Sequence, residues 1–332
     1  MEVKKNDEIN IEDWNLLLLY SKYSSPFQTR IFYEIINTIN GFLAEVFAVI
    51  RDNEIKALCV ITLQKEHGIK GFLSKRAIVY GGPLLLDGCN VELTLLLHSI
   101  YNYYKSRAIY IEIRNYFSYT QFDIDYKKAS WHWVPYFNVE INLEYKTIDD
   151  VLSSMKYNRR REIRLTLNEG TIFRETNDPC EIESLFLILK DLYKKRVKLP
   201  LPDIQFFQNL FNSPIGKTFI VIHNNKIIGG CFCLFFHERT IFTMYYCGLR
   251  NYDKKIFPTH LSILAAIDFG INNKLKSLDL MGAGKINEEY GVRNYKQEFG
   301  GELKEIGRFV KVNNSLLYYI GKLGIKLMKT FF

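Results

Sequence analysis

Apolar positions along the chain follow two periods, and the order in which the periods occur is the first structural signal. Residues 48–63, AVIRDNEIKALCVITL, read as strand, Asn-containing turn, strand. The same layout returns 172 residues later as IVIHNNKIIGGCFCLF over 220–235, with Asn53 over Asn225 and Cys59 over Cys231. Further on, a helical stretch followed by AIYIEIR (108–114) parallels a helical stretch over 258–273 followed by SLDLMGA (277–283), with Ile109 over Ser277 at an offset of 168. Similar offsets in the same order indicate duplication of one α/β unit. Each copy reads as helices, a hairpin of two or three antiparallel strands, then a helix and another strand. The expected fold class is therefore α/β (α+β), two tandem domains that each carry a mixed, mostly antiparallel sheet flanked by helices. Between them, the strand PYFNVEINL gives way to the polar EYKTIDD near residues 143–147, which places the domains at 1–145 and 146–332.

Length and composition agree with this reading. At 332 residues the chain has room for two domains, and 48% apolar with 24% charged residues excludes disordered and disulfide-miniprotein classes. Aromatics reach 15%, with 22 Tyr and 24 Phe, which favours β structure and aromatic-lined clefts. No apolar run is long enough for a membrane span, and the polar start Met1-Glu2-Val3-Lys4-Lys5 has no signal-peptide core, so a cytoplasmic location is expected. Six cysteines are scattered without a CxxC pair; Cys231 and Cys233 fall on one face of a strand and read as buried thiols rather than metal ligands.

Charge changes the picture more. Residues 1–145 hold 15 Lys/Arg against 17 Asp/Glu, whereas 146–332 hold 29 against 19, so the formal +8 arises from the second half. Such asymmetry points to an anionic partner. A candidate contact is MKYNRRREIRLTLNEG (155–170), where Met155, Ile163 and Leu167 keep helical spacing and Arg159, Arg160, Arg161 and Arg164 crowd one helix. After the strand IFTMYYCGLRN (241–251) a helix starts near Pro258, a residue suited to a first turn. This order of strand, loop and helix resembles the acetyltransferase core of the GNAT superfamily. In that fold a glycine-rich loop cradles the pyrophosphate of coenzyme A, yet the corresponding residues 250–259 contain no glycine.

The most specific string is GVRNYKQEFGG (291–301), preceded by a strand ending at Asp279 and by Gly282 and Gly284. It resembles the Fem family of peptidoglycan aminoacyltransferases, which consist of two GNAT-like domains. SSPFQTRIF (24–32) is similar to that family's N-terminal helix start, residues 155–170 to its K-x-x-R-R-x-I-R element, and LDLMGA to its strand-end D-x-x-G segment. Where the family commonly has a substrate-phosphate lysine after Gln-[Ser/Thr], Arg30 is the basic residue here, and no sustained heptad marks a coiled-coil insertion. Gly282 to Lys285, although GxGK, lacks the remaining features of a P-loop.

The resemblance implies transfer of an aminoacyl group from aminoacyl-tRNA to an amine of a peptidoglycan or other cell-envelope precursor, nucleotide- or lipid-linked, with no tightly bound cofactor. Acyl transfer from acyl-coenzyme A to a polysaccharide amino sugar is the alternative, and a non-catalytic GNAT-like binding module is a third. Transfer needs a deprotonated amine and a stabilised oxyanion. Lys296 is expected to stabilise oxyanion or phosphate, Asp279 to orient the amine or hold Lys296, and His260 to act as general base. Arg159, Arg160, Arg164, Arg293 and Arg30 are expected to meet substrate, with either Tyr245 or Tyr246 facing the cleft because strand neighbours alternate. In the tail, Leu316, Tyr319, Ile320, Leu323 and Leu327 share one helical face flanked by Lys322, Lys326 and Lys329, the pattern of a cationic interfacial helix that would touch the inner face of the cytoplasmic membrane.

Overall fold

The computed structural model describes residues 1–65, 71 and 74–331, with side chains through Gly324. Its strands are β1 (Glu2–Lys5), β2 (Phe42–Arg51), β3 (Glu54–Gln64), β4 (Arg76–Gly81), β5 (Leu84–Leu85), β6 (Tyr110–Asn115), β7 (His132–Val134) and β8 (Tyr136–Asn142), followed by β9 (Ile172–Glu175), β10 (Gly216–His223), β11 (Lys226–Phe236), β12 (Thr240–Gly248), β13 (Ser277–Lys285), β14 (Glu302–Glu305) and β15 (Arg308–Val312). The helices that position the features below are α1 (Arg30–Asn37), α2 (Asn90–Tyr104), α3 (Tyr157–Asn168), α4 (Pro179–Leu192), α5 (Ile204–Phe211), α6 (Pro258–Asn272), α7 (Gly291–Gln297) and α8 (Ser315–Phe331). No described helix is long and apolar enough to cross a membrane.

The chain forms two compact units, each built on one mixed sheet. Unit 1 comprises Met1–Pro135 and Ile306–Phe332, with strand order β1-β2-β3-β4-β6-β15-β7 and β5 on β3; unit 2 is Tyr136–Glu305, ordered β14-β8-β13-β12-β11-β10-β9. The sequence boundary at 145/146 differs from this division at both ends. β8 pairs with β13 and β14 and so belongs to unit 2, while β15 fills the space between β6 and β7 and takes α8 with it into unit 1. The charge asymmetry dissolves with the boundary. Unit 1 carries 20 Lys/Arg against 15 Asp/Glu and unit 2 carries 24 against 21, because the wholly cationic 306–332 segment joins the first unit.

Duplication is visible in backbone detail. Both hairpins turn through two successive positive-φ residues, Asp52 and Asn53 (55° and 61°) and Asn224 and Asn225 (47° and 57°), as a tight turn matched to strand twist requires. Each also carries a register irregularity at the equivalent step, Val49/Ile50 and Val221/Ile222. In unit 1, Leu93, Leu96, Leu97, Ile100 and Tyr104 line one face of α2 and bury it against Phe47, Val49, Cys59 and Ile61. Leu261, Leu264 and Ala265 of α6 serve the same purpose in unit 2 against Phe219, Val221, Cys231 and Cys233.

The two copies diverge at their parallel strands. β4 pairs with β6 over its whole length, from Arg76↔Tyr110 to Gly81↔Asn115. Equivalent strands β12 and β13 pair only from Thr240↔Ser277 to Phe242↔Asp279, and beyond that point no further pair joins them among the described residues.

Candidate active site

Pairing between β12 and β13 ends at Phe242↔Asp279, and α7 holds β13 beyond that point. Lys296 is buried, and its ammonium donates to the carbonyls of Leu280 (2.5 Å), Met281 (3.3 Å) and Gly282 (2.9 Å). One helical turn earlier, Arg293 donates through Nε to the Ala283 carbonyl (2.9 Å) and through Nη2 to that of Lys285. Two cations three positions apart on α7 thus satisfy five carbonyls in a bulged stretch of β13, where Met281 adopts φ +63° and pairing with β8 resumes only at Gly282↔Asn138. The strand thereby runs on through Gly282 and Gly284 to Lys285, where the sequence pattern suggests a loop. Past Phe242 no further ladder pair joins β12 to β13 among the described residues; Thr243 Oγ1 donates to the Asp279 carbonyl (3.4 Å), and the Cys247 carbonyl accepts from Ser262 Oγ (3.1 Å). Gly300, next to last in the string, adopts φ +80°, and a Cβ there would collide with Ser154 Oγ.

Asp279 is buried where that pairing ends. Its Oδ1 accepts from the Met281 N–H (2.5 Å) and its Oδ2 from Asn138 Nδ2 (3.2 Å). Burial raises its carboxyl to about 7, and these hydrogen bonds and Lys296 only partly oppose the rise. A carboxylate accepts at about four positions, so two hydrogen bonds leave capacity for a proton. Lys296 has none to spare: three donors meet three carbonyls, and the expectation of direct oxyanion or phosphate contact gives way to a clamp on the protein's own backbone. Burial also lowers that ammonium to about 8.

His260 is likewise engaged. Its Nε2 lies 3.0 Å from Glu162 Oε2 and its Nδ1 3.5 Å from the Tyr295 hydroxyl. Burial first, and the neighbouring Arg159 cation second, lower it to about 3, so the ring is neutral and donates from Nε2 to the carboxylate. With both nitrogens occupied it does not stand as the general base expected from sequence. Arg159 explains part of this. Instead of facing an anionic ligand it is buried, with Nη2 2.5 Å from Glu298 Oε2, Nη1 3.5 Å from Glu162 Oε2, and its guanidinium 4.5 Å above the Tyr295 ring. The arginine cluster is therefore split. Arg160 is half-buried and donates to the Ser153 carbonyl (3.0 Å), while Arg161 and Arg164 are exposed.

Tyr245 and Tyr246 do face opposite sides of β12. Tyr245 packs on Tyr193, Phe206 and Phe207 towards α4 and α5; Tyr246 stacks on Tyr295 of α7 at 6.3 Å. Burial pushes the Tyr246 hydroxyl well up. At the start of α6 the Phe257 N–H donates to Thr166 Oγ1 of α3 (3.0 Å), and Pro258 has no N–H to offer.

In unit 1 the Gln-Thr pair has a structural explanation. Gln28 is fully buried; its Oε1 accepts from Val60 N–H (2.8 Å) and its Nε2 donates to Tyr80 O (2.7 Å). The β3/β4 register, Thr62↔Ile78 through Gln64↔Arg76, would bring Val60 opposite Tyr80 two residues further on, so the amide bridges the two strands just beyond the point where their direct pairing stops. Thr29 caps α1 by accepting from Phe32 N–H (3.2 Å). Arg30 pairs with Glu34 (2.8 Å) on the same helix. Asn138 and Thr166 carry no sequence signal of a site role; Tyr295 lies inside the GVRNYKQEFGG string, and Glu162, three residues after Arg159, has a readable helical spacing.

No family model matches the chain, and no curated protein matches it. Its fold is shared with solved structures. FemX superposes with a TM-score of 0.72 at 16% identity, covering 96% of this chain and 99% of its own. L-PGS from Bacillus licheniformis gives 0.58 at 12% identity, covering 95% and 96%. A tandem GNAT protein from the clavulanic acid biosynthesis pathway gives 0.56 at 9% identity, covering 94% and 99%. The chain thus has the Fem-like tandem GNAT fold expected from its sequence.

Proposed function

We propose that this protein transfers an aminoacyl group from aminoacyl-tRNA to an amine of a cell-envelope precursor, and that the reaction takes place in unit 2 at the β12/β13 opening. The observation that carries this reading is Asp279, a carboxylate tuned to about 7 beside a strand edge with no strand partner among the described residues. Acyl transfer to an amine requires a proton acceptor near neutrality and fixed donors where oxyanion charge develops. Asp279 supplies the first: it takes the ammonium proton of the acceptor, whose amine then forms the amide as the ester to the tRNA ribose breaks, and the proton passes to the leaving ribose oxygen; backbone N–H groups of β12 are proposed as the second. Lys296 and Arg293 act as positioning residues that hold β13 apart from β12. The occupied start of α6, together with a glycine-free 250–259 segment, supports a donor without the coenzyme A pyrophosphate. Exposed Arg161 and Arg164 suit tRNA phosphates.

Titration of the purified protein with charged tRNA, uncharged tRNA and coenzyme A at two salt concentrations tests the donor. Binding of charged tRNA that weakens with salt, with no coenzyme A signal, is expected. Saturable coenzyme A binding without tRNA binding would overturn the donor assignment.

A further inference from the structure

The C-terminal helix α8 presents an apolar stripe that unit 1 does not cover. Leu316, Tyr319, Ile320 and Leu323, spaced by three and four residues, are 70%, 64%, 43% and 60% exposed. The helix is nonetheless anchored through its opposite side. Asn314 Oδ1 accepts from Leu317 N–H (3.0 Å), the Tyr318 ring meets Tyr110 edge-on at 5.1 Å, and Asn313 ties the preceding turn to the Tyr104 and Ala108 carbonyls (3.1 and 3.0 Å). A helix fixed on one side with its apolar stripe on the other is oriented towards something outside the chain.

Charge identifies the partner. Residues 306–332 carry five Lys/Arg and no Asp/Glu. On the described part of α8, Lys322 is exposed and stands one turn after Tyr318, its ammonium 4.2 Å over that anchored ring, at the border between the anchored side and the stripe. The helical backbone continues through Phe331, and the sequence adds Lys326 and Lys329; their side chains, and that of Leu327, lie outside the described residues. A second copy of this chain would place cation against cation, and a neutral apolar partner would leave the lysines without counter-charge. A bilayer surface with anionic headgroups meets both requirements, since acyl chains receive the stripe and headgroups receive the lysines.

We propose that α8 docks the protein onto an anionic lipid surface, lying parallel to it with Leu316, Tyr319, Ile320 and Leu323 inserted. This does not depend on the chemistry assigned to unit 2. Flotation of the full chain with vesicles of phosphatidylcholine plus phosphatidylglycerol, against phosphatidylcholine alone, tests it. The wild type is expected to float with the mixed vesicles and to be released by salt; Leu316→Glu with Leu323→Glu should lower the bound fraction about tenfold or more, and Lys322→Glu should weaken it on mixed vesicles only. Both sets change exposed positions, so unchanged thermal unfolding confirms that the variants fold. Absence of wild-type flotation at low salt would overturn the proposal, as would equal flotation of the double variant. Sedimentation showing a wild-type dimer that the double variant converts to monomer would assign the stripe to a second copy instead.

Discussion

Unit 1 and unit 2 share one hairpin-and-helix plan, and in each a ladder next to the hairpin stops short, but they treat that interruption differently. In unit 1 the gap falls between antiparallel β3 and β4, and the buried Gln28 amide fills it by contacting Val60 and Tyr80. The parallel pair β4/β6 stays closed. Unit 2 opens its parallel pair instead. There Lys296 and Arg293 satisfy the carbonyls of β13 alone, and β12 is left with an edge that no described strand pairs, next to Asp279. A gap sealed on both sides is structure; a gap sealed on one side is a place for a ligand. The lesson is that buried polar side chains on a repeated scaffold tell the two apart, since Gln28 bridges both strands whereas Lys296 and Arg293 serve one strand alone.

That contrast can be broken by substitution, and the largest effect is expected at Asp279. Asp279→Asn should reduce transfer at least about a hundredfold while wild-type rate rises with pH through about 7, where the carboxyl ionises. Stability should move the other way. The folded carboxyl lies above its unfolded value of 3.8, so its contribution is full below that pH and is lost as pH rises through about 7. An asparagine side chain in its place cannot ionise, and urea unfolding at pH 8 should show the variant more stable than wild type, by on the order of a few kcal/mol at most. A variant with normal activity would remove Asp279 from the chemistry.

Next in size is the seal of unit 1. Gln28→Ala orphans the Val60 N–H and the Tyr80 carbonyl and leaves a cavity, for a cost of about 3 kcal/mol in chemical denaturation. Binding of donor to unit 2 should be unaffected. Lys296→Met should cost about 2 kcal/mol, because relief of the buried charge offsets part of the loss of three hydrogen bonds. Here, unlike Gln28→Ala, transfer should fall with stability, since the β13 edge is no longer held. Smallest is the exposed pair: Arg161→Ala with Arg164→Ala should change stability by less than about 0.5 kcal/mol. Each loss should nevertheless lower the salt slope of tRNA binding by about one.

How much of this is legible in the sequence depends on the reach of each signal. The hairpin repeat is readable because Asp52-Asn53 and Asn224-Asn225 act locally, through turn geometry that the chain specifies within a few residues. The unit boundary is not, because β8 and β15 choose their sheets by long-range pairing that periodicity does not encode. Asp279 and the GVRNYKQEFGG string can be picked out as a cluster. Their contacts cannot, since a lysine's spacing does not reveal whether its donors meet ligand or carbonyls. Arg159 shows the same limit: in a run of arginines all look exposed, and only the packing of Tyr295 and Glu298 selects the buried one.

The most direct test of the unsealed gap is hydrogen exchange on the full chain, followed at residues 243–248 of β12 and at Arg76–Gly81 of β4, with and without charged tRNA. The opening predicts faster exchange in the β12 segment of the free protein and slowing there when donor binds, with β4 unchanged. Equally slow exchange in both segments of the free protein, or slowing confined to β4 on binding, would contradict it.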